Sequence, residues 1–86
     1  MRFIFTKKFR KCYEPLPAEI QETTKEKLRL LVQNPRHPSL RVKKMQGAKG
    51  IWDASVTMDY RLTFEMAADK LILRAIGKHD ETLKNP

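Results

Sequence analysis

Over the second half of the chain, apolar and polar residues alternate with a period of two. Trp52, Ala54, Val56 and Met58 take one phase and Asp53, Ser55 and Thr57 the other; after Met58-Asp59 the rhythm resumes with Tyr60, Leu62, Phe64 and Met66 against Arg61, Thr63 and Glu65. Successive side chains of a strand point to opposite faces, so this is the pattern of half-buried strands. The connections are short, Met58-Asp59 and Ala67-Ala68-Asp69-Lys70, and short connections join antiparallel neighbours. Leu71-Ile72-Leu73 is apolar in both phases, as in a central strand covered on each side, and Arg74 interrupts it. Earlier, Leu40 and Val42 alternate with Arg41 and Lys43 and predict another strand before the Gly47-Ala48-Lys49-Gly50 connection.

The first half reads differently. Arg2-Phe3-Ile4-Phe5 predicts an opening strand, and Thr6 is placed to cap a short helix whose Phe9, Cys12 and Tyr13 share a face. Glu14-Pro15-Leu16-Pro17 breaks that helix. From Pro17 a longer one runs to about Asn34, with Ile20, Thr24, Leu28, Leu31 and Val32 spaced for burial, until Asn34-Pro35-Arg36-His37-Pro38-Ser39 stops it. The order β-α-α-β-β-β-β predicts an α+β fold, two N-terminal helices packed on one face of a small, mainly antiparallel sheet. The opposite sheet face would then be polar and open, with Arg61 and either Arg41 or Lys43 converging on it.

Eighty-six residues, 41% of them hydrophobic, suit one domain spanning residues 1–86. Eighteen Lys and Arg against ten Asp and Glu give a net charge of +8, which favours an anionic partner, nucleic acid first. A membrane role is not expected: no apolar run has the length of a span, and Met1 to Phe5 is too short for a signal-peptide core, so a cytoplasmic protein is predicted. Cys12 is the one cysteine, and with only His37 and His79 beside it neither a disulfide framework nor a structural zinc site is expected.

Leu40-x-x-Lys43-x-x-x-Gly47, the Trp52 strand, Tyr60-Arg61-x-x-Phe64 and Ile76-Gly77-x-His79, in this order and spacing, resemble the RelE/ParE superfamily of bacterial toxins over essentially the whole chain. In the RelE branch the resemblance implies the toxin of a type II toxin-antitoxin system: an endoribonuclease that cuts messenger RNA at the ribosome and is silenced by a cognate antitoxin protein. By the same analogy the antitoxin wraps the basic surface, and the pair binds operator DNA. Arg61 stands where that branch has a phosphate-binding arginine. Asp53 and Ser55 stand where RelE carries two lysines, and the tyrosine of the RelE tail is absent. His79 instead resembles the C-terminal histidine of the YoeB and YafQ groups, and Asp59, before an aromatic residue, matches an aspartate of the YafQ group. The resemblance is therefore to the histidine-using subgroup.

The chemistry agrees with the residue types. Cleavage of RNA by transesterification needs the 2'-hydroxyl deprotonated, the phosphorane charge stabilised and the leaving 5'-oxygen protonated, which acid-base groups and a fixed cation accomplish without metal or other cofactor. His79 is the expected general acid or base, Arg61 the clamp on the phosphate, and Asp59 a base or an orienter of the histidine. Arg41, Lys43 and Lys44 would hold the RNA backbone, with Tyr60 or Trp52 stacking a base. These roles require the Arg61 guanidinium and the His79 imidazole to meet in one cationic hollow. The competing readings are an Arg61 ion pair with Glu65 or Asp53 on an exposed sheet face, Asp59 as a turn residue and Trp52 as a packing residue. At the level of function the alternatives are a ParE-like inhibitor of gyrase and a non-catalytic relative that binds nucleic acid or antitoxin.

Overall fold

The computed structural model describes residues 2–86. Along the chain it forms β1 (Arg2–Phe5), α1 (Lys7–Tyr13), α2 (Ala18–Gln33), a 3-10 turn (Pro38–Leu40), β2 (Lys43–Lys44), β3 (Trp52–Ser55), β4 (Tyr60–Ala67), β5 (Lys70–Lys78) and α3 (His79–Lys84). The strands make one sheet in the order β1-β5-β4-β3-β2. β1 runs parallel to β5 and the other pairings are antiparallel, giving the α+β arrangement of a helical pair followed by short-looped strands.

Thr6 joins the first strand to the first helix. Its Oγ1 accepts from the Phe9 N–H at 3.1 Å as the α1 cap and donates to the Leu73 carbonyl at 2.7 Å, so one hydroxyl starts the helix and fixes it beside β5. The helices pack Phe9, Leu28 and Leu31 on Ala54, Leu62, Phe64, Leu71, Leu73 and Ile76 of the sheet. Phe64 and Leu73 are entirely buried. At about 1.5–3 kcal/mol for each large side chain, this layer is the main source of stability. Thr24 is buried in the α2 seam, its hydroxyl satisfied by the Ile20 carbonyl at 2.7 Å, whereas Val32, expected inward, is exposed.

Three further sequence expectations change. Leu40 to Lys43 is not a strand: Pro38 starts the 3-10 turn, Arg41 closes it in the left-handed region at φ 46°, and β2 keeps only Lys43 and Lys44. A short turn with one buried residue, Leu40, imitates period two over four positions. Met58 and Met66, read as inward-facing, are exposed, Met58 to 93%, because β3 ends at Ser55 and Met66 lies near the outer end of β4.

The third change bears on function: the second sheet face is not open. Gly77 pairs with Arg61 across β5 and β4, so substituents at these two positions point to the same face. A Cβ at Gly77 would stand 2.9 Å from Thr82 Oγ1, which puts α3 on that face, over Arg61. Beneath and around it lies a buried polar layer of Asp53, Ser55, Arg61, Thr63 and Thr82.

Candidate functional site

β5 runs into α3 at Lys78, so His79 is the first residue of the terminal helix. Its backbone N–H donates to the Asp59 carbonyl at 2.8 Å, tying the end of β5 to the β3–β4 turn. That turn is itself held by Thr57, whose Oγ1 accepts from the N–H groups of Asp59 and Tyr60 at 3.2 Å each, an arrangement in which a hydroxyl replaces a backbone acceptor. Asp59 therefore acts structurally through its backbone and leaves its carboxylate exposed. Met58, Asp59, Tyr60, Lys78, His79, Asp80 and Glu81 line a hollow of about 860 Å³. The imidazole is half exposed there, Nδ1 lying 3.1 Å from the Asp80 carboxylate.

Of the residues expected to act together, the fold gathers His79, Asp59 and Tyr60. Arg61 is not among the residues lining their hollow; it is 7% exposed, and its Nη2 donates to the Asp53 carboxylate, itself 1% exposed. The Arg61–Asp53 pair anticipated for an exposed face is thus a buried one, and Glu65 pairs instead with Arg74 at 2.5 Å. Arg61 Nε and Thr63 Oγ1 are buried without a hydrogen-bond partner. The expected cationic hollow is corrected on its charge as well: the residues that line it include three acidic ones, Asp59, Asp80 and Glu81, and one lysine, Lys78, with the Asp80 carboxylate against the imidazole.

The backbone-binding candidates lie elsewhere. Lys43 and Lys44 are exposed on β2, and with Met45, Gln46, Asp53 and Leu83 they bound a smaller hollow between β2 and α3. Lys44 Nζ sits 5.6 Å from the ring centroid of Trp52, a cation–π contact that occupies the exposed part of a side chain otherwise packed on the core. Tyr60 is half-buried against the same core, and Arg41 is exposed after its 3-10 turn. Among the described residues no three His, Cys, Asp or Glu side chains are grouped to hold a metal ion, and no helix is long and apolar enough to cross a membrane.

The sequence reading did not include α3, nor the carboxylates of Asp80 and Glu81 at its start. The signal was present: Asp80 and Glu81 in the first turn and Lys84 in the last suit a helix dipole, but six residues are too few to display a helical period.

No protein-family model matches the sequence, and no curated protein is significantly similar to it. Solved structures do match. A YoeB/ParE toxin from Agrobacterium tumefaciens superposes with a TM-score of 0.79 at 18% identity, over 92% of this chain and 99% of that one. YafQ from E. coli gives 0.78 at 20% identity, over 92% and 93%. The RelB-RelE antitoxin-toxin complex from Methanococcus jannaschii gives 0.75 at 20%, over 96% and 99%. YafQ is also among the matches as a DinJ-YafQ toxin-antitoxin complex. At such identities the likeness is one of fold: the chain has, nearly end to end, the fold shared by these YoeB, YafQ and RelE toxins.

Proposed function

We propose that the protein is the toxin of a toxin-antitoxin pair and an endoribonuclease that cuts messenger RNA at the ribosome, with His79 as its acid-base group. The observation that carries this is the bond from the His79 N–H to the Asp59 carbonyl, which anchors His79 at the rim of a hollow large enough for a nucleotide that Asp59 and Tyr60 also line. A half-exposed histidine next to carboxylates is suited to moving a proton between a ribose hydroxyl and a leaving oxygen. Arg61 supplies the phosphate clamp, Lys43, Lys44 and Arg41 attract the RNA backbone, and Trp52 or Tyr60 stacks a base. The fold shared with toxins solved in complex with RelB and DinJ supports an antitoxin as the protein partner; binding of operator DNA through that partner is proposed from the family resemblance alone.

Inducing the protein in growing cells and adding it to a translation reaction test the reading. Growth arrest with new message ends is expected, both lost in His79→Ala and the arrest relieved by co-expressing the neighbouring gene's product. Arrest that persists in His79→Ala without new ends would overturn it. That outcome belongs to a second reading, a gyrase inhibitor that does not cut RNA, which the three acidic residues lining the hollow of His79 favour because they repel phosphate.

A further inference from the structure

The buried state of Arg61 conflicts with a role on substrate, and the way α3 is held resolves the conflict. Helix α3 spans six residues and is joined to β5 by Lys78. Thr82 is its one buried residue and Leu83 is half-buried; His79, Asp80, Glu81 and Lys84 face solvent. Beyond these contacts, two side chains fasten the tail, Lys8 Nζ to the Asn85 carbonyl at 2.7 Å and Arg74 Nε to the Pro86 carbonyl at 3.0 Å. The surface it covers is polar, and two atoms of that surface, Arg61 Nε and Thr63 Oγ1, are desolvated with no partner. Undocking α3 returns both to water, so the cover is weakly held by its own floor.

We propose that α3 is a lid over an anion-binding chamber floored by Arg61, Thr63 and Ser55, in which the Asp53 carboxylate stands in for an RNA phosphate while the lid is shut. One edge of the guanidinium is half used: Nη2 is on Asp53 and Nε is free. A phosphate oxygen pair takes both donors of that edge, as a single carboxylate oxygen does not. Opening beyond His79, with the bond from its N–H to the Asp59 carbonyl kept, uncovers the chamber beside the hollow of His79, since Arg61 pairs with Gly77 and Gly77 lies two residues from His79. The inference rests on the reading of Arg61 as the phosphate clamp, and its test separates the two.

Gly77→Ala sets a methyl against Thr82 Oγ1 and lifts the lid; adding Thr82→Ala removes the clashing atom and lets it close. Leu83→Lys opens the lid by another route, withdrawing its apolar anchor and placing a cation against Lys43 and Lys44. Arg61 modification by phenylglyoxal, followed by mass spectrometry with exposed Arg36 as internal reference, reports the lid; fluorescence anisotropy with a short single-stranded RNA reports the clamp. Both openers should raise Arg61 labelling about tenfold or more and tighten RNA binding, with the double variant near wild type. Equal labelling of Arg61 in wild type, Gly77→Ala and Leu83→Lys overturns the lid. Labelling that follows the lid with RNA affinity unmoved leaves the lid standing and removes the clamp.

Discussion

Asp53→Ala is the perturbation that the buried layer makes most informative. It strands the Arg61 guanidinium, 7% exposed, without its counter-ion. In a rigid interior, breaking one side of such a pair costs about 3–5 kcal/mol, against about 4–13 kcal/mol of total stability for a domain of this size. The fold has a less costly response, because lifting α3 hydrates Arg61. What is then lost is the partial burial of Leu83, the contact of Thr82 and two exposed or part-buried tail hydrogen bonds, about 2–3 kcal/mol together. The loss is therefore capped near 2–3 kcal/mol, a fall of about 8–24 °C in Tm. Urea unfolding followed by the fluorescence of Trp52 measures the loss, and amide hydrogen exchange in residues 80–84 measures the lid. The cap requires that exchange to rise toward the unprotected rate. A loss of 4 kcal/mol or more with α3 still protected would refute the lid as the relief, and a loss below about 1 kcal/mol with no change in α3 would refute the burial of the pair.

Three further outcomes are expected. His79→Ala, at a half-exposed position whose backbone bond survives the change, should leave stability within about 0.5 kcal/mol by thermal melting while lowering RNA cleavage by about 10²–10⁴-fold in single-turnover assays. Replacing Lys43 and Lys44 together with alanine should weaken RNA binding and reduce the slope of log K against log salt by about 1.4, read from anisotropy titrations at several salt concentrations. Phe64→Ala empties a fully buried site at the centre of the sheet and should cost about 3–5 kcal/mol in urea unfolding.

What the sequence disclosed depended on length and on partner. β4 was legible because eight residues show the alternation several times, and α2 because sixteen show the helical spacing. β2 and α3, at two and six residues, are set by tertiary contacts that no period of their own announces. The same limit governed the site. That His79 follows the last strand was readable, and so was the turn at Asp59, but the bond between them spans twenty positions and exists because β5 and the β3–β4 turn end together. Arg61 shows the other side: its phase along β4 correctly gave the face away from the helices, while its burial depends on α3, the element that period could not reveal.

The distribution of charge links these observations. Lys43, Lys44 and Arg41 are exposed and contribute to the net charge of +8, so a polyanion is drawn to the protein by charges it reaches first. A phosphate that then enters the hollow of His79 as it stands meets a lining with three acidic residues and one lysine, and each contact between like charges at about 4 Å costs from about 1 kcal/mol in water to about 4 kcal/mol near a protein surface. Acid-base groups alone therefore do not hold a scissile phosphate there; another fixed cation must be added. Arg61, paired with Gly77 in the strand that leads into His79, is placed to supply it, and in the closed state its charge is offset by Asp53 and covered by α3. In the proposed lid, one motion beyond His79 both exposes the guanidinium and reverses the balance of charge at the site. On the proposed function, the closed form is then inactive for electrostatic reasons even though His79 is already accessible.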